Sequence, residues 1–250
     1  MVLLELGIRR AELPPALFEA AEATPSVLDC RGDVIAIIST KSARASHPIA
    51  LQEMGPWIPE MTVGIEDHRF FEHGGIDFYS LLGATLRNVW RGKVVSGAST
   101  ITQQLIKLTS APTPRSFGAK LGEALAALKL ERMWGKKKLL AEYLNRLDYG
   151  NRRIGPEAAA LAYFGKRAKD LSASEAIFLA GLPQSPTRLN PWKDASPATK
   201  RYQRNLNHLH RLARLPIPIS QLRQFPPVPS RHDPPVRALH FLEMLRTRHP

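Results

Sequence analysis

The segment EDHRFFEHGGIDFYSLLGATLRNVWRGKVVSGASTITQQLIK, from Glu66 to Lys107, limits what this chain can fold into. It opens on an acid–basic–aromatic cluster, Glu66, Asp67, His68, Arg69, Phe70, Phe71, Glu72 and His73. It closes on a small-residue turn running into Ser99, Thr100, Gln103, Gln104 and Lys107. A helix in an ordinary core would alternate such residues with a clean apolar stripe. Few structural cores need so much polar chemistry in so little chain.

The periodicity around the segment is helical. Met61 to His73 reads as one helix, with Glu66, Arg69 and His73 at i, i+3 and i+7 on a shared face. His73-Gly74-Gly75 reads as its stop. Phe78, Leu81, Leu82, Leu86, Val89 and Trp90 also fall at helical spacing, followed by Arg87, Arg91 and Lys93. That helix faces a core, or it dips an apolar face with basic flanks into a membrane interface. Ser96-Gly97-Ala98 is a turn, and Ser99 or Thr100 can cap the next helix. There Thr100, Gln103 and Lys107 make a polar face, while Ile101, Leu105 and Leu108 face the core. Uncharged donors beside a lysine suit an oxygen-rich anion; a capped helix with exposed glutamines is the plainer reading.

The flanks are simpler. Residues 1–24 give a short helix broken at Pro14-Pro15, and PSVLDCRGDVIAII (25–38) gives two strands about an Arg31-Gly32-Asp33 turn. After a loop at Pro112 and Pro114, an Ala/Leu-rich helix runs from Phe117 to Trp134 with Glu123 in its interior. Gly135 and Lys136 to Lys138 end it with charges suited to a C-terminus. Further helices span Leu139–Leu147, Glu157–Phe164 and Ser172–Leu182, the last with a Ser-x-x-Glu capping box. A turn-rich loop covers Asp148–Gly155. Lys200–Leu215 is a basic amphipathic helix, read as a solvated face. Residues 216–235 hold seven of the 21 prolines and read as an extended linker, with a short helix at Arg237–His249. The organisation is a partly β N-terminal appendage (1–45), a mainly α domain (46–215) and a Pro-rich tail (216–250).

A formal charge of +13 suggests an anionic partner, be it nucleic acid, a phosphorylated substrate or an anionic membrane surface, or else a solvated basic surface. No stacking-aromatic or groove-helix motif accompanies the basic residues, so nucleic acid ranks last. One cysteine, Cys30, excludes an internal disulfide. No apolar run approaches the roughly 20 residues of a membrane span. MVLLELGIRRAELPP is too short and too soon charged for a signal peptide. Neither glycine-rich phosphate loop is present, nor a zinc array, nor a G-x-S-x-G elbow. His68 and His73 are badly spaced to share a metal on a helix. Carboxylates with cations and amides remain, a set suited to glycosyl chemistry with a phosphate leaving group.

Five ordered motifs carry a resemblance: EDHRFFEHGGID (66–77), GASTITQQLIK (97–107), KLGEALAALKLE (120–131), KKKLLAEYLNRLDYG (136–150) and AAALAYFGKRAKDLSASEAIFLAGLPQSP (158–186). Over about residues 26–215 the chain resembles the peptidoglycan glycosyltransferases, glycosyltransferase family 51. These occur in class A penicillin-binding proteins and as monofunctional transglycosylases. The resemblance implies a lysozyme-like helical fold with a membrane-facing jaw, to which the Phe78–Trp90 helix would belong. It implies polymerisation of lipid II onto a lipid-linked glycan strand, with release of undecaprenyl pyrophosphate. Glu66 would be the general base. Glu123 would assist at the donor pyrophosphate, with a divalent cation (Mg or Mn) as a candidate companion. Arg69, Lys107 and Lys120 would neutralise phosphate charge, and Asp67, His73, Ser99, Thr100, Gln103 and Gln104 would bind or position substrate. Glu66, beside Asp67 and near Arg69, is expected to be ionised. The implied setting is the periplasmic face of the inner membrane, with the export signal or anchor outside this chain and a transpeptidase or other wall-synthesis protein as partner.

Two positions depart from the family pattern. Ala119 stands before Lys120 where the family has an arginine, and Leu108 follows Lys107 where it has an asparagine. The competing readings are a lysozyme-like glycan hydrolase and a non-catalytic membrane- or glycan-binding module.

Overall fold

The computed structural model describes residues 2–28, 30, 34–37, 44–83, 99–112, 114, 116–224, 226–232, 240, 244 and 247–248. The Arg31–Asp33 turn, residues 84–98 of the expected jaw, and most of the helix expected at 237–249 lie outside them.

The protein is mainly helical, as its periodicity requires. In chain order the described elements are α1 (Val2–Arg10), β1 (Ser26–Leu28), β2 (Val34–Ile37), β3 (Ala45–Ser46) and α2 (Trp57–Glu66). A helix α3 starts at 78 and is described to 83. Then come α4 (Ile101–Thr109), α5 (Phe117–Met133), α6 (Lys136–Arg146), β4 (Arg153–Ile154), α7 (Pro156–Phe164), α8 (Ala173–Gly181), α9 (Ala195–Arg211) and α10 (Ile219–Gln224). β1 and β2 pair antiparallel, the hairpin that the β-branched run predicts. β3 pairs parallel with β4 inside the stretch read as a loop; two residues per strand leave no periodicity to detect.

The core forms where α2 packs on α8 and α9, and α4 on α5 and α6. Ile58, Met61 and Val63 of α2, Ile101 and Leu105 of α4, and Leu130 of α5 are buried there. A polar knot ties the second group. Thr102 donates to Glu131 Oε1 at 2.5 Å, and Lys136 Nζ reaches the same oxygen at 2.8 Å.

Several expectations are corrected. The helix around Glu66 starts at Trp57 and ends at Glu66, not His73, so Glu66, Arg69 and His73 do not share a helical face. The chain turns at Asp67 because its carboxylate is committed elsewhere. Both its oxygens lie 3.0 Å from His73 Nε2, and Oδ2 also accepts the Ile101 N–H at 3.0 Å. Leu108 is 46% exposed instead of core-facing. Gly135 caps the start of α6, so Lys136 to Lys138 open a helix and do not close one. That is the unfavourable end for cations, and aromatic faces offset it. Lys136 Nζ sits 4.3 Å from the Phe70 ring and Lys138 Nζ 4.0 Å from Trp134.

The described N- and C-terminal segments are docked. Lys129 Nζ donates to the carbonyls of Arg9 (3.1 Å) and Ala11 (2.7 Å), holding the C-terminal end of α1 on α5. In the stretch read as an extended linker, α10 buries Leu222 and Tyr202 donates to its carbonyl at 2.8 Å. Beyond it, the N–H groups of Ser230 and His232 reach the carbonyls of Tyr163 (2.9 Å) and Ala162 (3.0 Å). Those are last-turn carbonyls of α7, left open by the helix itself.

Gly75 is one of the tight backbone positions in this frame. Its φ is +108°, and a Cβ there would stand 2.9 Å from the backbone C and O of Ala127. Gly75→Ala is therefore expected to destabilise the fold by about 3 kcal/mol, from strain plus backbone displacement. Urea unfolding of the two proteins measures this, and equal midpoints would refute it.

Candidate active site

Glu66 is the last residue of α2, and its carboxylate is half-buried between α4 and the loop after α8. Gln184 Nε2 donates to Oε1 at 2.9 Å, and Gln104 Nε2 donates to Oε2 at 3.3 Å. Gln104 is itself fixed, because Tyr143 OH donates to its Oε1 at 2.9 Å. Burial pushes the Glu66 carboxyl above its ordinary range; the two amide bonds and the Arg201 charge pull it back only in part. Its place at a helix C-terminus acts in the same direction as burial. The expectation of a readily ionised carboxylate is thus corrected. Arg69 is not its partner, being held by Glu72 (3.0 Å) and lying over the Tyr79 ring (4.5 Å). Asp77 stands 3.9 Å from Arg69 and receives the Ser80 N–H and hydroxyl at the start of α3.

Four residues expected to touch substrate are spent inside the fold. Asp67 and His73 side chains are 4% and 6% exposed. Because His73 Nδ1 accepts the Gly75 N–H at 3.2 Å, its proton is on Nε2, facing Asp67. Thr100 and Gln103 form the capping box of α4, and Thr100 Oγ1 also donates to Gly75 O at 2.7 Å.

The remaining candidates gather on the α4–α5 side. A cavity of about 1020 Å³ is lined by Lys107, Ser110, Ala119, Lys120 and Glu123, with Glu12 from the segment after α1. Lys120 Nζ bridges Glu123 Oε2 (2.8 Å) and Ser99 Oγ (3.1 Å). Lys107 has no ion pair among the described residues. Glu66 does not line this cavity, yet the two places adjoin. Gln104 touches Glu66, and Lys107 follows one turn later on α4, about 4.5 Å along the axis. The arrangement offers a desolvated proton acceptor beside a chamber with two lysines.

Among the described residues, no three His, Cys, Asp or Glu side chains converge on a metal position. Glu123 offers one carboxylate, already on Lys120. That donor set does not fit a resident divalent cation, which takes six or more oxygens.

Nothing in the sequence singles out Tyr143, Gln184 or Arg201. Tyr143 and Gln184 lie inside quoted motifs, but an aromatic on a helix and an amide in a proline-rich turn have no spacing that marks them. Arg201 belongs to the basic helix read as solvated, whereas it is half-buried and acts on Glu66.

A carboxyl whose folded pKa is raised penalises the fold above that pKa. The penalty appears as pH rises through the unfolded value of 4.5 toward the folded one, and is absent below. Glu66→Gln should therefore melt no lower than the parent at neutral pH, with any advantage vanishing in acid. Melting curves at both pH values check this; a lower melting temperature for the variant at pH 7 would contradict it.

The transglycosylase family model matches residues 31–210. Penicillin-binding protein 1A of Streptococcus oralis is 44% identical over 147 residues, 58% of this chain and 23% of that protein. Penicillin-binding protein 1F of Bacillus subtilis is 38% identical over 169 residues, 68% of this chain and again 23% of the relative. The chain thus spans about a quarter of the length of these curated relatives. A solved structure of penicillin-binding protein 1A from Haemophilus influenzae overlaps 92% of this chain and 24% of its own, with 18% identity and a TM-score of 0.49. The chain belongs to the transglycosylase family, the peptidoglycan glycosyltransferases to which its five motifs point.

Proposed function

We propose that this protein polymerises lipid II into β-1,4-linked glycan strands, with Glu66 as general base. The observation that carries the proposal is the Glu66 carboxylate. It is desolvated, free of any ion pair among the described residues, and held by two amide donors beside the lysine-bearing cavity. Glu66 would take the proton of the acceptor's 4-hydroxyl as that oxygen attacks the anomeric carbon of the lipid-linked strand. The bond to undecaprenyl pyrophosphate breaks, and the configuration inverts. A raised pKa strengthens the base.

The leaving pyrophosphate would lie in the cavity against Lys107 and Lys120, with Ser99 as a further donor. Glu123 would orient Lys120. Two lysines face Glu12 and Glu123 there, so the cavity walls are close to neutral, and Ala119 leaves them one cation short. Any divalent cation would arrive on the phosphates. Asp67, His73, Thr100 and Gln103 would shape the site from behind, and Arg69 would serve at its rim. Phe78 (64% exposed), Tyr79 (75%) and Leu82 (61%) fit contact with a membrane surface. That suits a protein of the periplasmic face working beside a transpeptidase or other wall-synthesis proteins.

One observation favours a second reading. A buried glutamic acid with a raised pKa is also what a glycan hydrolase needs as its acid. Against it, both Glu66 oxygens accept amide hydrogens, so neither contact requires a carboxyl proton. Digestion of purified sacculi would reveal a hydrolase.

Labelled lipid II in detergent is the direct test. Strands are expected from the parent and none from Glu66→Gln; normal output from that variant removes Glu66 from its role. Polymerisation should fall off in acid at a pH above 4.5, because the working carboxyl is displaced upward. Lys107→Ala should weaken donor binding more than acceptor binding, and equal losses in separate titrations would refute the cavity assignment. Ala119→Arg should raise output at limiting donor, by adding a cation to a nearly neutral wall.

A further inference from the structure

Gln184 sits in the stretch between α8 and α9, Pro183 to Asp194, and that stretch is pinned at several points. Asn190 Nδ2 donates to Asn151 Oδ1 at 2.7 Å, and Asn151 Nδ2 returns a bond to Asn190 Oδ1 at 2.9 Å. Asn151 also donates to Tyr163 OH at 3.0 Å. Gly150 stands so near Pro186 that a Cβ there would lie 3.1 Å from its carbonyl oxygen. Trp192 packs 5.1 Å from Tyr163, centroid to centroid, and its indole N–H points at Ser230 O at 3.4 Å. A loop held this firmly presents Gln184 at a fixed place, although its side chain is solvent-facing.

What it presents is one donor to one oxygen. Glu66 has two oxygens, and Gln104, backed by Tyr143, holds only Oε2. With Oε1 free, the carboxylate could swing about its last torsion, which is broad for a glutamate. We propose that Gln184 is a positioning residue for Glu66: its amide, 2.9 Å from Oε1, locks the carboxylate plane that the acceptor hydroxyl must meet. The role in catalysis rests on the reading of Glu66 as base; the clamp itself does not. Removing a hydrogen bond to a charged group forfeits about tenfold to a hundredfold in the matching equilibrium or rate.

Gln184→Met keeps the length and removes the donor; Gln184→Lys keeps a donor and adds charge. The Glu66 carboxyl carbon can be followed by ¹³C NMR, assigned as the signal missing from Glu66→Gln. Its midpoint should rise in Gln184→Met and fall in Gln184→Lys. The acid edge of lipid II polymerisation should move with it, and kcat should drop about tenfold or more in the Met variant at unchanged melting temperature. An unmoved midpoint and acid edge in a folded Gln184→Met protein overturn the proposal. A parent that makes no polymer overturns the reading of Glu66 as base, and the positioning role with it, even where the NMR midpoint shifts and shows the clamp to be real.

Discussion

The Asp67 carboxylate holds the working half of this molecule together. One side chain stops α2 after Glu66, accepts the first free N–H of α4 and fixes the His73 ring. An anion at a helix N-terminus is favourable for both charge and hydrogen bonding. His73 then binds Gly75 N, and Gly75 O takes the Thr100 hydroxyl, which closes a circuit between the end of one helix and the start of another. Glu66 and Gln104 face each other because that circuit sets the distance between α2 and α4. The four residues expected at the substrate are thus the joinery behind it.

The helical class, the hairpin, the Ser172–Glu175 capping box and the length of α5 were legible, because each depends on spacing or on a local cap. Ser172 and Glu175 form the reciprocal bonds that their sequence order implies, whereas Gln103, read as part of a polar face, instead closes a box with Thr100. What could not be read depends on partners remote in sequence. The helix ends at Glu66 because the Asp67 carboxylate takes the N–H of Ile101, 34 residues on from Asp67. Lys136 and Lys138 tolerate a helix start because Phe70 and Trp134 lie beneath them. A polar motif is visible in a sequence; whether it faces a ligand or a neighbouring backbone is decided by tertiary contacts.

The candidate site separates two electrostatic tasks along one helix. At Gln104 the surroundings are apolar and amide-lined, and they make a carboxylate reluctant to stay charged. Less than a turn later, Lys107 stands without an ion pair among the described residues in a cavity that also holds the Lys120–Glu123 pair. In the reaction proposed above, the first environment would suit the proton acceptor and the second the departing anion. Burial of Tyr143 and Tyr149 beside Glu66 drives both phenols well above their ordinary range, so they remain neutral donors or spectators at any working pH.

The docked C-terminal stretch has a mechanical consequence. Because Ser230 and His232 close open carbonyls of α7, the described chain is anchored beside that helix well past the end of α9. A cut at Leu215 would strip a C-terminal plug from α7 and bare Tyr202, so the minimal folding unit is longer than its motifs suggest.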